Sequence, residues 1–277
     1  MTEQLMEKNE LLLNQLVKEL KFSHKQVQNV INLLEDGNTV PFIARYRKEM
    51  TGALDEVQIR DIMERWHYLQ NLEQRKEEVL RLIDEQGKLT EELHQKIVHA
   101  DKLQLVEDLY RPYKQKRRTK ATVAKEKGLE PLAQWLLTFP MGEDIVSKAQ
   151  SFISEEKEVH TIEEALQGAK DIIAEMISDE PKYRGWIRNE TFKIGLITSA
   201  VKNEEKDEKK IYEMYYEYEE PVRKIVPHRI LALNRGEKEE IIRVSLQLDT
   251  ERILQYLNNN VIKNEHSTTV SLVKEAV

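Results

Sequence analysis

Nine glycines and seven prolines are all that interrupt a chain of 277 residues. That is about half the usual combined share of roughly 12%. Gly and Pro disfavour helix interiors most strongly, so their scarcity leaves long stretches free to coil. Between them Glu, Lys, Leu and Gln dominate, all good helix formers. Charged residues make up 34% of the chain, well above the usual ~25%. Disorder is nevertheless excluded, because apolar residues recur at helical spacing. The expected fold is mainly α: an elongated multi-helix array, helix-turn-helix-like at its N-terminal end, with a small β element near 239–248.

Composition removes several function classes. With no cysteine, disulfide scaffolds, thiol catalysis and Cys-based zinc sites drop out. The longest apolar run, residues 194–201, is broken by Gly195, Thr198 and Ser199 and falls far short of the ~20 residues of a membrane helix. The first residues are acidic, where a secretion signal is basic. The expectation is a cytoplasmic protein without membrane association. No Gly-rich phosphate loop, dinucleotide fingerprint or nucleophile elbow occurs. His94 and His99, five apart, fall on different helix faces and do not suit one metal. The carboxylates read as solvated helix faces, and a nuclease would need a clustered acidic metal site that the spacing does not offer. The chain reads as neither an enzyme nor a cofactor binder.

Along the chain, residues 3–20 form an amphipathic stripe through Leu5, Leu12, Leu13, Leu16 and Leu20. Ser23 caps a second helix that Gly37 stops. Pro41 opens a short third segment, broken at Thr51-Gly52. Asp55 caps a helix of nearly thirty residues that reaches Gly87, long enough to act as a strut. Further helices are expected at 103–110, after Thr119 or Thr122, at 129–139 and at 145–153. Thr161 and Glu164 match a capping box ahead of the cleanest stripe, Ala165, Ala169, Ile172 and Ile173. A helix from Pro181 is expected to carry Trp186, Ile187, Ile194 and Ile197. Residues 211–218 admit either helix or strand, and 241–248, which alternate weakly, are the best strand candidate. Asp249 caps a helix expected to fray at Asn258-Asn259-Asn260. The stripe begun at Thr268 ends without a cap, which suggests an N-terminal fragment of a longer protein. The expected divisions are 1–55, 55–87, 88–200, 201–248 and 249–277.

Two constellations rise above this background. In the first, Arg45, Arg47 and Lys48 place three cations in four residues, between helices arranged as in a helix-turn-helix. Either they face a phosphate backbone, or Arg45 and Arg47 pair with Glu56 or Asp61 and pin the long helix. Tight helical corners favour the second. The other constellation is residues 110–128, with eight basic residues and one acid. With Arg111 and Lys127, and against Glu126, Lys114, Lys116, Arg117, Arg118, Lys120 and Lys125 there make a segment of +7 in a chain of net −7. Such segregation suits phosphate contact with counterion release, and Tyr110 and Tyr113 can stack on unpaired bases. The alternative is that the segment docks on the protein's own acidic helices. A weaker third feature, residues 226–239, reads as a helix, a turn and a strand.

The runs 39–61, 109–133 and 228–246 resemble the Tex family of bacterial transcription accessory proteins, in order and across essentially the whole chain. The resemblance implies a helical N-terminal portion with a helix-turn-helix domain. It also implies further domains beyond these residues: a YqgF-like RNase H-like domain, helix-hairpin-helix elements and a C-terminal OB-fold that binds RNA. It implies RNA or DNA as partner. Together with the basic segment and its tyrosines, which suit a single strand, it leaves two roles for this part: scaffold with a secondary basic surface, or a scaffold that docks on transcription or RNA-processing machinery. It assigns no catalytic residue.

Overall fold

The computed structural model describes residues 3–277, with side chains from residue 8 onward, so Leu5 lies outside the described side chains. The chain divides into two compact units, Met1–Tyr110 and Arg111–Val277. The fold is mainly α with one small sheet, as the breaker-poor sequence implies.

In the first unit the helices are α1 (Glu3–Leu20), α2 (His24–Glu35), α3 (Val40–Tyr46), α4 (Lys48–Thr51), α5 (Glu56–Asp84), α6 (Glu91–Val98) and α7 (Leu103–Tyr110). Their ends follow from local chemistry. Ser23 and Asp55 each accept a backbone N–H three residues on, while Gln26 and Gln58 reach back to the cap's own N–H. At the end of α2, Gly37 (φ +82°) lets its N–H reach Leu34 O at 3.0 Å and that of Asn38 reach Leu33 O at 3.1 Å. Both bonds satisfy carbonyls that the helix leaves open. The apolar stripes of α1, α2, α3 and α5 then bury Leu16, Val27, Ile43, Ile59 and Ile62 in one core.

Gly52 terminates α4 in the left-handed region, φ +65°. A Cβ there would lie 2.8 Å from Gln26 Nε2, the arm of the α2 capping box. Gly52→Ala is therefore expected to cost about 1–2 kcal/mol, from left-handed strain and a loosened cap. Urea unfolding of the variant checks this; an unchanged midpoint would refute it.

The second unit contains α8 (Lys120–Glu126), α9 (Glu130–Leu136), α10 (Ile145–Gln150), α11 (Ile162–Asp179), α12 (Pro181–Ile194), β1 (Leu196–Val201), β2 (Glu217–Pro221), α13 (Pro227–Lys238), β3 (Ile242–Gln247), α14 (Thr250–Val261) and α15 (Val270–Ala276). Helix α11 is the axis of its larger core. Ala165, Ala169, Ile172 and Ile173 are buried there with Leu129, Leu132 and Leu136. A Cβ on Gly168 would lie 2.4 Å from Leu129 Cδ1, so the missing side chain is what permits this close approach.

The strands form one antiparallel sheet in the order β2-β1-β3. A smaller core of Tyr212, Tyr215, Leu233, Ile241 and Ile242 lies between the sheet and α13. Asp207 is buried and accepts the N–H of Ile211 at 2.8 Å, that of Tyr212 at 2.7 Å and the Tyr216 hydroxyl at 3.1 Å. It thereby orders the charge-rich connection from β1 to β2.

Three expectations are corrected here, and the open reading of residues 211–218 is decided. Ile197 is not helical: α12 stops at Ile194, Gly195 turns extended (φ −66°, ψ 151°) and residues 196–201 become the central strand. Its β-branched Ile197, Thr198 and Val201 suit a pleated surface. Residues 211–218 are a short 3₁₀ turn followed by the start of β2. Asn258, Asn259 and Asn260 do not fray α14, which runs on to Val261; Asn260 Nδ2 donates to Tyr256 O. Finally, Thr161 caps α11 as expected, but the Glu164 carboxylate reaches His160 N at 2.8 Å, one residue before the cap.

Candidate nucleic-acid interface

Thr39 precedes α3 in extended conformation and Pro41 sits in its first turn. The helix buries Val40 and Ile43, which fixes its orientation and turns Arg45 and Tyr46 outward. At Arg47 the backbone leaves the helix (φ −126°, ψ 23°) and re-enters one at Lys48. Arg45, Arg47 and Lys48 thus occupy an exposed corner. The Arg47 guanidinium lies 5.1 Å from the Phe42 ring centroid, a cation–π contact, and Phe42 lies 5.2 Å from Tyr46. Tyr46 is 60% exposed.

Among the described residues no carboxylate pairs with Arg45, Arg47 or Lys48. This corrects the expectation that Glu56 or Asp61 holds them. Glu56 instead takes Arg60, one turn along its own helix, at 2.6 Å. An i, i+4 partner is always within reach, whereas one across the corner is not. Tyr46 is a candidate that the sequence reading passed over. Its signal was an aromatic pair spaced i, i+4 within a run of cations.

The segment 111–127 is more divided. It opens with a 3₁₀ turn, Arg111–Tyr113, and enters α8 through Thr119, which accepts Thr122 N–H. Part of its charge is neutralised by the end of α11. Asp179, 7% exposed, accepts Arg111 Nε at 3.0 Å and also binds Lys116 Nζ. Glu175 lies 3.3 Å from Lys116 Nζ and 3.8 Å from Lys125 Nζ, and accepts the Thr119 hydroxyl at 3.0 Å. Arg118 pairs with Glu126 at 2.9 Å, and Lys127 donates to the Glu158 carbonyl at 2.6 Å.

Lys114, Arg117 and Lys120 are left exposed, without an ion pair among the described residues. Lys114, Lys116 and Lys125 line an open cleft of about 430 Å³ together with Glu175, Asp179 and Glu180. Docking on acidic helices and exposure are therefore both realised, by different residues of one segment. Tyr110 is not available for stacking: it is buried, with the Arg75 guanidinium 5.4 Å from its ring centroid.

The third feature is a single helix, Pro227–Lys238, rather than helix, turn and strand; the strand begins only at Ile242. Arg229 of α13 donates to Glu220 of β2 at 2.7 Å, and Tyr218 donates to the same carboxylate. These two bonds hold Glu220 below the usual carboxylate range, the tyrosine contributing most. No three His, Asp or Glu side chains among the described residues gather in a way that suits a metal ion. No helix among them is long and apolar enough to cross a membrane.

Comparison with known proteins supplies the context. Residues 10–84 match the Tex-like protein N-terminal domain, and residues 142–275 match the Tex central region. Among similar proteins, YdcI of Bacillus subtilis is 60% identical over 273 residues, 98% of this chain and 38% of its own length. The transcriptional accessory protein Tex of Neisseria gonorrhoeae is 41% identical over 232 residues, 84% of this chain and 30% of its own. The human S1 RNA-binding domain-containing protein 1 is 30% identical over 228 residues, covering 79% and 22%. The chain thus spans less than two fifths of the length of these relatives. With both domain types in order and these relatives along its length, the chain belongs to the Tex family.

Proposed function

We propose that this chain is the helical scaffold of a nucleic-acid-binding transcription accessory protein, and that it adds a secondary basic surface that contacts single-stranded RNA or DNA. The observation that carries the reading is the exposed corner where Arg45, Arg47 and Lys48 stand without carboxylate partners among the described residues, beside an exposed tyrosine. Guanidinium and ammonium groups bind phosphate oxygens and release counterions. A tyrosine face next to them can stack on a base of any identity. The helix here has seven residues, only about 10 Å of length. That is short for a recognition helix in a major groove and better suited to a flexible strand. Lys114, Arg117 and Lys120 supply a second cation set; Lys116, Arg118 and Lys125 serve mainly to fasten their segment. The relatives named for transcription and for an RNA-binding domain agree with this reading. It requires no catalytic group and no cofactor, and it suits a cytoplasmic protein.

A second reading is a scaffold that docks on transcription machinery, with nucleic-acid binding left to a C-terminal OB-fold. The acidic balance outside 110–128 favours it, about −14 against +7. Fluorescence anisotropy with a labelled oligouridylate at low salt separates the two. Replacing Arg45, Arg47 and Lys48 together by Glu is expected to weaken binding about tenfold or more, since three phosphate contacts become repulsions. Unchanged affinity would discard the corner, and retention of polymerase subunits after nuclease treatment would then support docking.

A further inference from the structure

The two edges of the small sheet are built differently. Tyr216 O accepts Val201 N–H at 2.9 Å, and Val222 N–H reaches Gly195 O at 2.9 Å. Even-numbered residues of the β2 side therefore bond to β1, and Glu217, Glu219 and Pro221 turn their backbone groups outward. Pro221 has no N–H to offer, and the two glutamates carry charge along this edge. That is how an edge strand is kept from pairing with another chain.

The β3 edge lacks this protection. Ile241 O accepts the N–H of Lys202 at 2.8 Å and of Asn203 at 3.0 Å. Odd-numbered residues of β3 therefore face β1, and Ile242, Val244 and Leu246 present N–H and C=O outward. Val244 N–H is taken by Glu237 Oε1 at 3.1 Å. Among the described residues nothing takes the N–H of Leu246.

The side chains beside this edge have a definite character. Ile242 points toward α13, since its Cδ1 lies 2.9 Å from where a Cβ on Gly236 would be. By strand alternation Leu246 is on the same face, yet it is 58% exposed. Ile230 sits two helical turns before Glu237, on the same side of α13, and is also exposed. The opposite face of β3 carries Arg243, Ser245 and Gln247, all exposed, and no carboxylate among the described residues pairs with Arg243. One face of the edge is thus apolar and the other basic to polar.

We infer that the β3 edge is a docking site for an extended protein segment in which apolar and acidic residues alternate. Such a strand pairs through its backbone with the N–H and C=O of Leu246 and with the C=O of Val244, whose N–H stays on Glu237. It lays its apolar side chains over Leu246 and Ile230 and its carboxylates toward Arg243. The inference concerns a protein partner and stands independently of the nucleic-acid reading.

The probe is a fluorescent Glu-Val-Glu-Val-Glu-Val peptide, followed by anisotropy on the whole chain. Methylating its alternate backbone nitrogens is expected to weaken binding at least tenfold, and a Lys-Val peptide is expected to bind at least fivefold more weakly. Leu246→Pro removes the outward N–H without touching a β1 bond and is expected to abolish pairing. Arg243→Glu is expected to reverse the preference between the two peptides. In the unmodified protein, exchange of the Leu246 amide hydrogen is expected to slow when the peptide is bound. Equal binding of the methylated peptide, indifference to its charge, or displacement by oligouridylate would overturn the assignment. The Arg45, Arg47 and Lys48 triple variant is expected to bind the peptide as the unmodified chain does, so failure here and failure of the nucleic-acid reading are distinguishable.

Discussion

Replacing Asp179 by alanine is expected to destabilise the second unit by about 2 kcal/mol and to raise its affinity for single-stranded RNA several-fold. The two effects share one cause. Asp179 is buried, and its carboxylate is the common partner of Arg111 and Lys116. Removing one member of a buried charged group leaves the others uncompensated, which costs 3–5 kcal/mol when all are buried. Here the Arg111 side chain is 45% exposed and that of Lys116 25%, so solvent recovers part of that and about 2 kcal/mol remains. The same substitution frees Arg111 for phosphate and leaves Lys116 held by Glu175 alone, which adds to counterion release. Urea unfolding reports the first effect and oligouridylate titration the second. A loss of stability with no gain in affinity would mean that segment 111–127 is fastened for structural reasons alone.

The second large effect is expected at Ile172. It is fully buried in the centre of α11, where that helix meets α8, α9 and α15. Ile172→Ala removes three carbons from a site flanked by Ala165 and Ala169, which have little side chain with which to fill the space. A cost of about 3–4 kcal/mol follows from lost transfer energy plus the residual cavity. Ile172→Val should cost only about 1 kcal/mol. Equal costs for the two variants would mean that the core collapses around the gap and is less closely packed than the buried stripe implies. Because α11 also carries Glu175 and Asp179, Ile172→Ala is expected to loosen the basic segment as well, seen as faster amide exchange at residues 116–120.

What could be read in the sequence was what neighbouring residues decide among themselves. The caps at Ser23, Asp55, Thr119 and Thr161 were recoverable, because each bonds to an N–H three residues away. Gly37 and Gly52 were recoverable as stops because their positive φ is a local requirement. The stripe of α11 was clear because helical periodicity is written at i, i+3 and i+4. Strand β1 was missed for the opposite reason. Its apolar run continues the preceding helix, and its stability comes from partners at 217–221 and 242–247, which periodicity does not reveal.

The candidate site shows the same limit. The cations could be counted, but their pairing could not. Lys116 meets Asp179 across 63 residues of sequence, while Arg45 and Arg47 find no carboxylate among the described residues, although two stood close in sequence. Division of the basic residues into fastened and free sets is a product of the fold.

That division is tested most directly by the salt dependence of binding. Affinity of the intact chain for oligouridylate is measured between low and physiological salt. With Arg45, Arg47 and Lys48 contacting phosphate on the first unit, the expected slope of log affinity against log salt is about −2, at ~0.7 per contact on a single strand, and Lys114, Arg117 and Lys120 predict a similar slope on the second. Converting Lys116 to Glu is expected to leave the slope of the second unit unchanged, whereas converting Lys114, Arg117 and Lys120 is expected to remove that unit's binding. A slope near zero in the unmodified chain, or a slope that falls as much for Lys116 as for the free set, would contradict the account.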